Sequence, residues 1–216
     1  MCGKTVRVLT FDIEEWFHLL DLEISRSVKG WDKFETRIHD NTIRILQLLN
    51  EKKQKATFFC LGWVCEKFPE VVKMIHDAGY EIGSHSMYHQ LAYELSPQQF
   101  RDDLSRSIAL IGDITGQKVR YYRVPGFSIK KTNAWVLEIL VESGIEIDSS
   151  IFPASRGHGG FEDFGSDTPV IIKTQAGKLK EFPINTSLFL GRRIVFSGGG
   201  YFRLLPYSIL YNFMKK

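Results

Sequence analysis

Apolar residues along this chain follow two alternating rhythms. Short runs rich in β-branched and aromatic side chains occupy residues 5–11, 56–61, 80–83, 119–124, 145–148 and 179–184, and runs of this kind read as strands. Between them the apolar positions take helical spacing. Residues 41–50 carry Ile43, Ile45, Leu46, Leu48 and Leu49, with Asp40 or Asn41 as cap. Residues 69–78 carry Val71, Val72, Met74 and Ile75, and Gly79 follows as a C′ residue. Ser96 and Pro97 stand at N-cap and N1 of a third helix whose apolar face is Phe100, Leu104, Ile108 and Ile111. Thr132 opens a fourth, running through Leu137 and Leu140 to Gly144.

Strand–helix alternation of this length predicts an α/β fold with mostly parallel strands and right-handed crossovers. Six such units suggest a barrel or near-barrel rather than a short open sheet. Residues 155–169 lack periodicity and read as a long loop, a common home for function. No glycine fingerprint for a dinucleotide or phosphate follows the first strand. Gly198-Gly199-Gly200 comes late and reads as a flexible turn.

Composition narrows the partners. A chain of 216 residues can bury one sizeable core, so residues 1–216 read as one domain. The net charge of +3 is mild and its basic residues are dispersed, which argues against nucleic acid. Three cysteines, Cys2, Cys60 and Cys65, make neither a disulfide framework nor a zinc quartet, and Cys60 reads as a small buried hydrophobe. No secretory signal precedes the first strand, and Pro206 interrupts an apolar tail too short to span a bilayer. A cytoplasmic protein, at most peripheral to the membrane, is the expectation.

The candidate chemistry starts at His85 and His89. With Ser84 as N-cap, both imidazoles project from the first turn of a helix and can grip one divalent metal from one side. The same spacing also occurs at helix starts that bind nothing. A carboxylate is the usual third ligand, and Asp12, Glu14 and Glu15 offer one at the end of the first strand. Both segments fall at strand C-termini, where α/β folds place their chemistry.

Two further strand ends carry Arg123-Val124-Pro125-Gly126 and Asp148-Ser149-Ser150. With Thr10-Phe11-Asp12 and His85/His89, these four segments resemble the motifs of the NodB-homology polysaccharide deacetylases, carbohydrate esterase family four. The run Ala56-Thr57-Phe58-Phe59 with Gly62 resembles that family's second strand. Within the family, the segments 11–18, 148–153 and 198–206 most resemble the branch linked to surface polysaccharide and exopolysaccharide biosynthesis. The resemblance implies a distorted (β/α) barrel, a divalent metal and removal of acetyl groups from N-acetylated sugars. Zn²⁺ is the first choice, with Co²⁺, Ni²⁺ or Mn²⁺ also suited to such ligands.

The resemblance also suggests roles. Many relatives carry two adjacent aspartates at the first motif, but here Ile13 replaces the second. Strand alternation puts Asp12 and Glu14 on one face, so Asp12 is assigned as base and Glu14 as third ligand. Glu15 stays open as ligand if the strand ends or bulges. Arg123 is the expected partner of Asp12, unless it is a surface arginine. Asp148 either orients Arg123 or caps a turn. Pro125 and Gly126 would shape a turn near the substrate, and Trp16 could stack on a sugar ring. His158 could reach the metal site from its loop, whereas His18, His39 and His76 read as surface residues. The family's closing histidine has no counterpart after His158. Either the chain is truncated, with the barrel open to the loss of its closing strand, or the general acid comes from elsewhere. Two other readings remain: hydrolysis of a small non-sugar amide, as in allantoinase-like relatives, and a catalytically impaired carbohydrate-binding relative.

Overall fold

The computed structural model describes residues 8–20, 27–154, 157–189 and 192–214. Cys2 and the first residues of the predicted opening strand lie outside them. Seven strands form one sheet: β1 (Thr10–Ile13), β2 (Thr57–Cys60), β3 (Glu81–Ser84), β4 (Tyr121–Tyr122), β5 (Ile147–Asp148), β6 (Val170–Lys173) and β7 (Lys178–Glu181). Their order is β1-β2-β3-β4-β5-β7-β6. Every pair is parallel except β6–β7. The sheet is not closed: among the described residues, β1 pairs only with β2, and β6 only with β7. A separate antiparallel hairpin joins β8 (Thr186–Phe189) to β9 (Arg192–Val195).

The crossovers are α1 (Ile38–Glu51), α2 (Gly62–Lys67) with α3 (Pro69–Asp77), α4 (Pro97–Thr115) and α5 (Trp135–Glu142). Short helices α6 (Gly199–Leu204) and α7 (Tyr207–Met214) follow the hairpin. No helix among the described residues is long and apolar enough to cross a membrane. The predicted N-cap holds at α4, where Ser96 forms a capping box with Gln99; the helix ends at Gly116, with a left-handed φ of 67°. The core lies between sheet and helices. Phe58 and Tyr122 meet Val71, Val72, Ile75, Leu104, Ile111 and Leu140 there, all sealed from solvent. Each such side chain stabilises the fold by about 1.5–3 kcal/mol.

Several local expectations give way to tertiary contacts. Among the described residues the first strand runs from Thr10 to Ile13, so it carries Asp12 within it. Helix α1 starts before Asp40, because its free N–H groups are capped by a residue distant in sequence, Glu15. Thr132 lies in a 3-10 turn ahead of α5 instead of capping it. Gly199 and Gly200 open a helix instead of making a turn. Strand β6 and the β8–β9 hairpin have no counterpart among the predicted elements.

One register row organises the sheet. Ile13, Cys60, Ser84, Tyr122, Asp148 and Glu181 stand side by side across six strands. The residues one step further, Leu61, His85, Arg123, Ser149 and Phe182, each donate their N–H to a carbonyl of the row on the preceding strand, at 2.8–3.2 Å. Pleating sends the side chains of consecutive rows to opposite faces. Ser84 and Tyr122 accordingly meet α4, at Ser107 and Phe100. Asp12, His85 and Arg123 turn to the other face.

Candidate metal centre and active site

Glu14, His85 and His89 converge just beyond this row. Each offers one ligand atom, and the three atoms lie within 4.8 Å of one another. Glu14 Oε2 is 2.7 Å from His89 Nε2 and 4.0 Å from His85 Nε2. His85 Nδ1 donates to the Arg123 carbonyl at 2.8 Å, since a carbonyl can only accept. That bond leaves the Nε2 lone pair facing Glu14. Burial lowers the His85 pKa, against the pull of Asp12 and Glu14, and favours the neutral ligand form.

The donors fit a divalent transition metal. Glu14 Oε2 is buried and accepts no hydrogen bond, although an imidazole nitrogen is close by. A buried carboxylate oxygen left unsatisfied is costly, and a shared cation answers the cost. Two imidazoles and one carboxylate are a known donor set for zinc and its neighbours and leave coordination positions open.

The histidine segment is a loop, not the first turn of a helix. Ser84 ends β3, and Ser86 and His89 take left-handed φ values of 67° and 55°. Its neighbours, not helical bonds, hold it. The first two N–H groups of α2, from Gly62 and Trp63, donate to the carbonyls of Ser86 and Met87 at 2.8 and 2.9 Å. Ser86 Oγ accepts the His89 N–H. From α4, Asp103 accepts the Met87 N–H at 2.9 Å, and Ser107 bonds Ser84. Gly62 is required here: a Cβ would sit 2.4 Å from Met87 Sδ and 2.9 Å from its Cα.

Asp12 stands beside this centre. Its Oδ1 accepts from Arg123 Nη1 at 3.0 Å, and the same nitrogen also donates to Thr10 Oγ1. Burial alone would raise the Asp12 pKa, but Arg123, helped by the two histidines, holds it below the ordinary value. The guanidinium lies 4.4 Å from the Phe59 ring centroid. Glu15 turns to the opposite side, where its Oε1 accepts the N–H groups of Arg37 and Ile38 at 2.6 and 2.9 Å. Its part is to cap α1, which corrects its candidacy as a ligand.

Asp148 does not bond Arg123 directly. The pleat places it on the helix-facing side, while Ser149 shares the face of Arg123. Ser149 is the residue that holds the guanidinium, its carbonyl accepting from Nε at 3.0 Å and its Oγ from Nη2 at 2.8 Å. Asp148 instead pairs with Glu181, a residue absent from the sequence reading. A signal was available, since an acid at an alternate position of an apolar-flanked strand points inward.

The remaining candidates divide. Trp16 is 45% exposed. With Asp12, Glu14, Arg37 and Asn41 it lines a cavity of about 290 Å³. Pro125 is buried and Gly126 takes a φ of 62°, with Leu20 and Leu91 so close that a side chain would collide. His158 Cβ lies 3.7 Å from where a Gly126 Cβ would stand, so the glycine-rich loop folds against this turn without joining the donor group. His18, expected at the surface, is buried among Phe17, Trp31 and Trp63, 6.3 Å from the His89 ring. Burial, with the two other histidines, lowers its pKa to about 3. Its Nδ1 accepts the Glu15 N–H.

Comparisons with known proteins bear on the same features. A family profile described as polysaccharide deacetylase matches residues 3–146, and one described as a domain of unknown function (DUF3473) matches residues 149–216. Peptidoglycan deacetylase of Helicobacter pylori is 35% identical over 109 residues, 50% of this chain and 36% of that protein. A peptidoglycan-N-acetylglucosamine deacetylase of Bacillus cereus is 31% identical over 98 residues, 45% of this chain and 36% of that protein. The matched stretch thus spans about a third of these relatives' length. Among solved structures, a candidate polysaccharide deacetylase of Mycobacterium smegmatis superposes with a TM-score of 0.66 at 25% identity, covering 89% of this chain and 64% of that one. BA3943 of Bacillus anthracis, described as a family 4 carbohydrate esterase pseudoenzyme, gives 0.51 at 27% identity over 65% of this chain and 41% of that one.

Proposed function

Since the chain belongs to the polysaccharide deacetylase family, we propose that it is a metal-dependent hydrolase of sugar N-acetyl groups, acting on a surface polysaccharide or its precursor. The observation that carries this reading is the convergence of Glu14, His85 and His89 beside the Asp12–Arg123 pair. The named activities of the peptidoglycan deacetylases support N-acetylated hexosamine as the substrate class.

Glu14, His85 and His89 are the residues that would hold the metal, Zn²⁺ by preference. When bound, it supplies a Lewis acid that polarises the acetyl carbonyl and makes water a stronger acid. Asp12 then serves as general base, taking a proton from the attacking water. Arg123 keeps Asp12 ionised and aimed, and Ser149 fixes Arg123. The proton gained by Asp12 is available for the departing amine. Trp16, on the wall of the adjoining cavity, offers a ring for stacking on a sugar. Pro125 and the left-handed Gly126 form the turn that borders the same face.

The test pairs metal content with acetate release. Purified protein should carry about one equivalent of transition metal and release acetate from N-acetylglucosamine oligomers or peptidoglycan fragments. His89→Ala should lose both while keeping its secondary structure. Metal binding without acetate release from any acetylated sugar would favour the impaired carbohydrate-binding reading; BA3943 is described as a pseudoenzyme of the same esterase family. No metal after reconstitution would end the proposal.

A further inference from the structure

Behind the Arg123–Asp12 pair, on the opposite face of the sheet, two carboxyl groups meet. Asp148 and Glu181 are in-register neighbours on parallel strands β5 and β7, and neither is exposed at all. One oxygen of each is satisfied by an ordinary donor. Ser150 Oγ donates to Asp148 Oδ1 at 2.5 Å, and the Ile151 N–H donates to Glu181 Oε1 at 3.1 Å. The other oxygens, Asp148 Oδ2 and Glu181 Oε2, are buried and receive no donor from the rest of the protein. Their register puts the two side chains on one face of the sheet, and two buried carboxyl oxygens with no other donor are satisfied together only by a proton between them.

The pair is wired to the active face. Ser150 Oγ, while donating to Asp148, accepts the Val124 N–H at 2.8 Å. Ser149 Oγ donates to the Phe182 carbonyl, next to Glu181, at 2.9 Å and accepts from Arg123. The Phe182 N–H returns to the Asp148 carbonyl at 2.8 Å. The turn that grips Arg123 is thus tied on both sides to the acid pair.

We propose that Asp148 and Glu181 share one proton and act as a positioning pair, fixing the Ser149-Ser150 turn and through it the guanidinium that holds Asp12. This rests on the reading of Asp12 as the general base. With one proton, the pair carries one negative charge behind Arg123. With none, two sealed charges repel across neighbouring strands, and the turn has no fixed place. Burial pushes both groups up from the ordinary carboxylate range, the direction that favours a retained proton. The titratable and charged groups facing the pair are Tyr122 and Arg123 from β4, with Asp103 of α4 beyond Tyr122. From β6, Val170 stands opposite Glu181 and adds no charge.

Infrared spectroscopy of the full chain tests the shared proton without any substrate. At about pH 8, where Asp103 is already ionised, the protein should show the carbonyl stretch of one protonated carboxyl, and Glu181→Gln should lose it. Absence of the band from the unsubstituted protein would overturn the shared proton. Acetate release tests the positioning role. Glu181→Ala should lower kcat about 10-fold or more with little change in KM, and Glu181→Gln, whose amide can donate to Asp148, should restore most of the loss. Ser150→Ala cuts the tie to the turn, and with it the hydroxyl donor to Asp148, while keeping both carboxyl groups. It should also lower kcat, and it decides the matter if Glu181→Ala does not fold. Unchanged kcat in a folded Glu181→Ala or in Ser150→Ala would overturn the positioning role. If the unsubstituted protein releases no acetate at all, the deacetylase reading fails, while the infrared band still decides the shared proton.

Discussion

Two stretches along the strand ends of one sheet handle carboxyl groups in opposite ways. At β1, Asp12 and Glu14 face a guanidinium and two imidazoles, and both side chains stay about 30% exposed. At β5 and β7, Asp148 and Glu181 face each other with no exposure. In the first pair Asp12 is held ready as an anion, its pKa drawn below the ordinary range. The second is pushed the other way and satisfied by a proton. Neighbours and solvent decide which acids can take a proton or a cation and which serve only to hold strands in place. Arg123 stands between the two, with its side chain on the first and its supporting turn on the second.

The largest disturbance of this contrast comes from removing Arg123. In Arg123→Met, burial acts on Asp12 with only the two histidines against it, so its pKa rises and the acid limb of the activity profile moves toward neutrality. Activity near neutral pH should fall about 10²–10⁴-fold, and loss of one member of a buried ion pair should cost about 3–5 kcal/mol of stability. A pH–rate profile identical to that of the unsubstituted protein would refute the pairing.

Asp103 sharpens the comparison as a sealed acid without an acidic partner. Burial raises its pKa to about 6 despite the Met87 and Tyr88 N–H groups that bond it. A raised acid contributes its full stabilisation below the unfolded value near 4, and the contribution is lost as pH climbs through about 6. A shift of this size corresponds to roughly 3 kcal/mol across that window. Asp103→Asn should flatten this part of the stability–pH curve, as read by urea unfolding at a series of pH values. By the same sign argument, Glu181→Gln should reduce the loss of stability as pH rises above the carboxylate range. An unaltered slope in either variant would contradict the assigned environment.

Two smaller effects test the supports of the open side. Gly62→Ala drives a methyl group into Met87 and should cost about 1–3 kcal/mol, with weaker metal retention because Met87 lies between the two histidines. Glu15→Ala should cost about 1 kcal/mol through loss of the α1 cap and leave metal content unchanged. Loss of metal in Glu15→Ala would mean that Glu15 is a ligand after all.

The donor group was legible because its members sit in short, recognisable segments. Asp12, Glu14, His85, His89 and Arg123 are named by motif and strand alternation, and the fold brings them to one face. The shape of the histidine segment was not legible. Spacing at i and i+4 suits a helix, but the carbonyls of Ser86 and Met87 are taken by α2, and a buried aspartate of α4 holds the Met87 N–H. Likewise, nothing local to Glu15 marks it as a cap for a helix more than twenty residues away.

The sequence by itself determined the alternation of strands and helices, the order of the chemically active segments and the side chains each delivers, since these depend on periodicity and residue type over a few positions. Tertiary structure alone decided which residues stand beside one another across strands. It placed Ser149 rather than Asp148 against Arg123, set Glu181 opposite Asp148, reversed β6 against β7 and buried His18 among aromatic rings. Register and pleat are relations between distant segments, and a shift of one residue exchanges the faces of a strand. That exchange separates an arginine's anchor from a sealed acid one position away.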